Sequence, residues 1–176
     1  MAVFVCLLRA IGPETHKKMS MAAMREGCEA AGFENVVTVG NTGNVILTSG
    51  KTAATVRREV QQVVDWFGIK SEVFIRTARQ MQMVVRADPF PAAVEDHPSY
   101  VGVCSFHKTP KWTPLDAYEG PVKWSTSGAH LIRDVGRDGV VGRFDVEKIL
   151  DAKMTERNWR VFANLADKAK AHGKRK

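Results

Sequence analysis

The 176 residues contain no apolar run of 18, so nothing reads as a membrane-crossing helix. The N-terminus also lacks the basic, then hydrophobic, then small-residue order of a secretory signal. A soluble, cytoplasmic protein without a membrane partner is the expectation. Cysteine is scarce. Cys6, Cys28 and Cys104 are an odd number without Cys-x-x-Cys spacing and without the paired Cys and His ligands of a zinc site, which speaks against a disulfide framework or a zinc site and leaves buried small apolar residues. Also missing are Gly-x-Ser-x-Gly, His-x-x-x-His, a phosphate loop and a dinucleotide fingerprint. No metal or cofactor is expected, and no catalytic residue is assigned. Asp134, Asp138 and Asp145 lack calcium-loop spacing and read as turn residues, while His107 and His130 stand at strand ends with no partner visible in the sequence.

Hydrophobic content of 44% and charged content of 26% are those of an ordinary globular chain. The net charge of +7 is unevenly placed: Thr155 to Lys176 holds seven Lys or Arg against two acids. That asymmetry permits a polyanionic partner.

The opening Val3-Phe4-Val5-Cys6-Leu7-Leu8 is apolar on both alternating faces, so it reads as a buried, central strand closed by Arg9. Ala10 to Lys18 reads as a loop at its carboxyl end, carrying His16, Lys17 and Lys18. Met21, Met24, Cys28 and Ala31 then recur at helical spacing, with Ser20 as cap and Gly32 as stop. Val36 to Val39 and Val45 to Thr48 are strands joined by Gly40-Asn41-Thr42-Gly43, which is hairpin turn chemistry. Thr52 caps a second helix with a stripe of Val56, Val60, Val63 and Phe67, and Glu72 to Arg76 is the next strand. The resulting β-α-β-β-α-β order is the ferredoxin-like arrangement.

Thr77 caps a third helix that ends before Asp88-Pro89. The Pro-containing loop from Phe90 to His97 divides the chain into residues 1–88 and 89–176. Tyr100 to Phe106, Val122 to Ser125 and His130 to Asp134 read as strands, with short segments at Trp112 to Tyr118 and Asp145 to Leu150 and a Gly-rich turn at Val135 to Gly142. The second half is thus a less regular relative of the first. Thr155 is expected to cap a last helix that buries Trp159, Phe162, Leu165 and Ala169 and leaves Arg157, Arg160 and Lys168 on other faces. The fold class is α+β.

Several of these segments resemble the domain-of-unknown-function family numbered 1697. Leu8-Arg9 through Lys18-Met19-Ser20-Met21 with Arg25 is similar to its N-terminal signature, Thr42-Gly43-Asn44-Val45 to its Ser-Gly-Asn-Val hairpin, Asp88-Pro89-Phe90 to its Asn-Pro-Phe, and Thr155-Glu156-Arg157-Asn158-Trp159 to its Thr-x-Arg-Asn-Trp. The resemblance implies two related ferredoxin-like halves and no established activity. This chain departs from the family's glycine-rich loop, with Ala10, Pro13, Glu14 and Thr15 there, so a backbone-amide anion loop is not carried over.

Arg9, Lys18, Asn44, Arg157 and Asn158 are the polar residues of those motifs. Read functionally, they converge on one anionic small molecule or nucleic acid; read structurally, Asn44 serves the hairpin turn, and Asn158 with Arg157 holds the start of the last helix against the first strand. Lys168, Lys170, Lys174, Arg175 and Lys176, with His172, form a tail able to track phosphates, or simply a solvated one. Phe4 occupies the place of a base-stacking aromatic on the first strand, but Val45-Ile46-Leu47 offers none on the third, which favours core. The rival readings are an enzyme of unassigned reaction with a pocket between the halves, and an interaction or assembly protein.

Overall fold

The computed structural model describes residues 1–137 and 144–172. Asp138, most of the Gly-rich turn after it, and Lys174, Arg175 and Lys176 lie outside the described residues. The chain divides into two compact units. The first is Met1–Met81 together with the segment that starts at Leu165, and the second is Gln82–Asn164.

The first unit runs β1 (Ala2–Leu8), α1 (Pro13–Lys18), α2 (Met21–Ala30), β2 (Glu34–Thr38), β3 (Asn44–Ser49), α3 (Ala53–Trp66), β4 (Val73–Thr77) and the start of α4 (Ala78–Ala87). Its sheet has the order β2-β3-β1-β4, every pair antiparallel, which is the ferredoxin-like topology. Val5, Cys6, Leu7 and Leu8 are wholly buried, as an apolar central strand requires. The helix starts are set by side chains. Ser20 Oγ accepts from Ala23 N and Thr52 Oγ1 from Thr55 N, while Thr77 and Gln80 form a reciprocal capping box.

Two features of the first unit depart from the expectation. The segment read as a loop contains α1, because Pro13 occupies its first position and Thr15 Oγ1 both accepts from Gly12 N and donates to Gly12 O. On α3 the buried stripe is Val56, Val60 and Val64; Val63 and Phe67 are only partly buried.

The second unit continues α4 and adds α5 (Pro91–Asp96), β5 (Val101–Phe106), a 3-10 turn at Thr113–Ala117, β6 (Lys123–Ser127), β7 (His130–Asp134), α6 (Val146–Leu150), β8 (Met154–Asn158) and the start of α7 (Trp159–His172). Its sheet has the order β6-β7-β5-β8, again antiparallel throughout. Taking each unit's strands in sequence order, both sheets read 2-3-1-4. Two expectations are corrected here. The segment from Phe90 to His97, read as a loop, contains α5, with Pro91 at its first position. Thr155 does not cap the last helix: it lies in β8, paired with Ser105, and α7 starts at Trp159, where Asn158 Oδ1 accepts from Val161 N. Arg157 is accordingly a strand residue, not one on a helix face. Trp159, Phe162, Leu165 and Ala169 are buried as the spacing predicts.

Candidate functional site

At one corner of the first unit two motifs distant in sequence meet. β1 delivers Arg9 to a turn where Ala10 has φ 54°, and the β2–β3 hairpin folds against it: Leu8 N donates to Gly43 O at 2.8 Å, and His16 Nε2 lies 2.7 Å from Asn41 O. Gly43, at φ 73°, is needed there, since a Cβ would lie 2.6 Å from Ile11 Cγ1 and 2.7 Å from Leu8 Cβ. Asn44 is buried and donates to Val39 O and Thr42 Oγ1, which makes it a turn residue. Arg9 is half-buried and anchored by its backbone, its N donating to Glu72 O and its O accepting from Ser71 Oγ. Lys17 pairs with Glu14, and Lys18 is exposed. Arg9, Lys18 and Asn44 therefore share one unit, with Lys168 and Lys170 exposed on its segment of α7.

Arg157 and Asn158 belong to the second unit. Arg157 is buried, and its Nη1 donates to Thr155 Oγ1 and to Glu156 O, while burial pulls its guanidinium down to about 10. Arg76 holds the equivalent place on β4. It is also buried, donates to the carbonyl before it (Ile75 O, 2.6 Å) and is drawn by burial to about 10.

The second unit also contains a cluster that sequence spacing cannot reveal. His97 bridges two carboxylates, Nδ1 to Asp96 Oδ2 at 2.7 Å and Nε2 to Asp134 Oδ1 at 2.9 Å, although Asp134 is 37 residues away. Gly136 N donates to Asp134, and Arg137 grips Asp96 through two nitrogens. The bonds from Asp96 and Asp134 raise His97 above 6.5, and those from Arg137 and His97 lower Asp96 to about 2. With both ring nitrogens engaged, His97 has neither free to take a proton from a substrate. The cluster borders a cavity of about 550 Å³ walled by Pro89, Phe90 and Ala93, with Lys123 at its edge.

A larger groove, about 800 Å³, lies between α2 and α3. The helices approach closely because Gly27 has no side chain; a Cβ there would lie 2.7 Å from Val63 Cγ1. Val63 and Phe67, partly buried and packed against the core, also line this groove. Trp66 beside them is 81% exposed, its ring meeting Phe67 edge-on. Glu26 and Glu59 are the acidic lining residues, and Lys51 pairs with Glu59 at 2.7 Å.

The remaining chemistry is sparse. All three cysteines are buried, and burial raises each thiol, Cys28 to about 12, so none is a ready nucleophile. Phe4 packs in the first unit's core with Cys6 and Leu8, where it cannot stack on a base. Among the described residues no group of three His, Cys, Asp or Glu could hold a metal ion, and no helix is long and apolar enough to cross a membrane.

Residues 1–126 match the model of a family described as "Protein of unknown function (DUF1697)". No curated protein matches the sequence. Among solved structures the chain is similar to the conserved bacterial protein SP0830 from Streptococcus pneumoniae, with a TM-score of 0.74 and 15% identity over 97% of this chain and 99% of that one. At that identity the likeness shows the fold alone.

Proposed function

Because the chain belongs to the DUF1697 family of unknown function, we propose a role from its own charge and geometry: it binds an anionic partner, nucleic acid included, through the first unit. One observation carries this reading. The segments of the first unit hold fifteen Lys and Arg against eight Asp and Glu, a net +7, while the second unit holds eleven of each and is neutral. The whole excess of the protein therefore sits on one unit, and such a field attracts polyanions and speeds their encounter. Arg9 and Lys18 at the motif corner, with Lys168 and Lys170 on α7, are the groups assigned to the contact. Asn44 shapes the hairpin beside them, and Arg157 and Asn158 brace the β8–α7 junction.

Fluorescence anisotropy of labelled single- and double-stranded DNA and RNA across a salt series tests this. The expected result is an affinity that falls linearly with log salt, with a slope that drops by about one for each phosphate contact removed in a Lys17→Glu/Lys18→Glu or a Lys168→Glu/Lys170→Glu variant. Binding that ignores salt, or none to any polyanion, overturns the reading.

A further inference from the structure

The α2–α3 groove carries an inference independent of the anionic reading, and of opposite sign. Its volume of about 800 Å³ falls within the range of small-ligand sites. Its floor is apolar, built from Ala23, Gly27, Val63 and Phe67. The close packing at Gly27 fixes the two helices against each other, so the floor is already formed. Trp66 lines the groove with its ring 81% exposed, which leaves an indole face open to a ligand. Indole is the best aromatic partner for a cation.

The charges select the same ligand. Although the surrounding unit is strongly basic, the groove's charged lining is two carboxylates and one ammonium. Lys51 is held by Glu59 and lies 5.6 Å above the Phe33 ring, so Glu59 is already balanced. Glu26 is exposed and makes no ion pair among the described residues. We propose that this groove binds a small organic cation with an apolar body, the body lying on the Gly27–Val63 floor and the charge met by the Glu26 carboxylate and the Trp66 ring.

Tetraphenylphosphonium and tetraphenylborate, ions of nearly the same size and shape but opposite charge, separate this site from general electrostatics. In calorimetric titrations of the full chain the phosphonium should bind saturably, below about 1 mM, and more tightly than the borate, against the sign of the unit's net charge. Trp66→Ala should weaken the phosphonium about tenfold and Glu26→Gln about threefold. Both side chains are exposed, so unchanged thermal melting certifies the fold of each variant. Borate binding as tight as phosphonium, no saturable phosphonium binding, or affinities unmoved by both substitutions would each overturn the proposal.

Discussion

The two units build one topology from different materials. Their registers coincide on β1, β3 and β4 against β5, β7 and β8: Val5 faces Ile46 and Arg76 as Val103 faces Ile132 and Arg157, and Cys6 matches Cys104, while the β2 edge differs from β6 by a register shift between Glu34 and Val37. The difference lies on the helix-covered face. In the first unit, helices of 10 and 14 residues cover Phe4, Leu47 and Ile75. In the second, a 3-10 turn and α6, five residues each, stand in their place, and the matching positions are Gly102, Arg133 and Glu156. Arg133 donates to both Glu156 oxygens, at 2.8 and 2.5 Å, and Gly102 is bare because a Cβ would run into Glu156 Oε1. With less apolar cover available, an ion pair lies over the glycine where a phenylalanine would otherwise be buried. Strand order is thus indifferent to the chemistry of its face, provided each face is internally complementary.

Exchanging materials between the units tests this, and the largest effect belongs to a tryptophan. Trp159→Ala gives the second unit the residue that the first carries at the start of its helix, Ala78, and should cost about 3 to 5 kcal/mol in denaturant unfolding. Next comes the hairpin glycine. Gly43→Ala combines a strained positive φ with two overlapping contacts and should cost about 2 to 4 kcal/mol, whereas Gly128→Ala in the second hairpin, also at positive φ but with open space around it, should cost about 1 kcal/mol. A loss at Gly43 no larger than at Gly128 would break the claim that the first corner is the tighter.

The ion pair gives an intermediate effect. Glu156→Ala strands Arg133 and should cost about 2 to 3 kcal/mol, while the double change Arg133→Leu/Glu156→Ile, which installs the first unit's apolar pattern, should cost less than that single change. A double variant worse than Glu156→Ala would show that the two faces are not interchangeable.

The smallest effect is pH-dependent and confined to the second unit. His97 is raised above 6.5, so its contribution is complete below 6.5 and fades as pH rises through the higher folded value. Asp96 and Asp134 are lowered from 3.8, so theirs is complete above 3.8 and fades as pH falls through the lower folded values. Thermal melts should show the cluster's full support between about pH 4 and 6.5, and His97→Gln should flatten the alkaline side. An unchanged profile would mean the cluster does not bear on stability.

The sequence was most legible where structure is local. Ser20, Thr52 and Thr77 each cap the helix expected of them, and apart from the short α1 the order of the first unit's elements follows from periodicity and turn residues. Three places resisted, each for a physical reason. Thr155 and Asn158 are both competent caps, and only the pairing of β8 with β5, some fifty residues distant, takes Thr155 into a strand. On α3, Val63 and Val64 are adjacent and both apolar, so a rotation of one residue leaves the spacing argument intact while exchanging core for groove. The His97 cluster joins residues 37 positions apart whose types alone announce nothing. Of the candidate site residues, Asn44 is engaged in the hairpin turn that the structural reading gave it, while Asn158 takes the helix-start bond expected of Thr155. The groove around Trp66 had no sequence signal beyond the apolar Val63 and Phe67.

The first unit is assembled from two stretches far apart in sequence, its early strands and the stretch that begins at Leu165. During synthesis the strands of the first unit leave the ribosome before residues 82–164, yet the segment that completes the unit emerges after them. All four strands of the second unit are available before then. The unit begun first is therefore finished after the other, and the nascent chain holds its opening strands in an incomplete state, exposed to aggregation or chaperone capture, until the later turns of α7 have emerged.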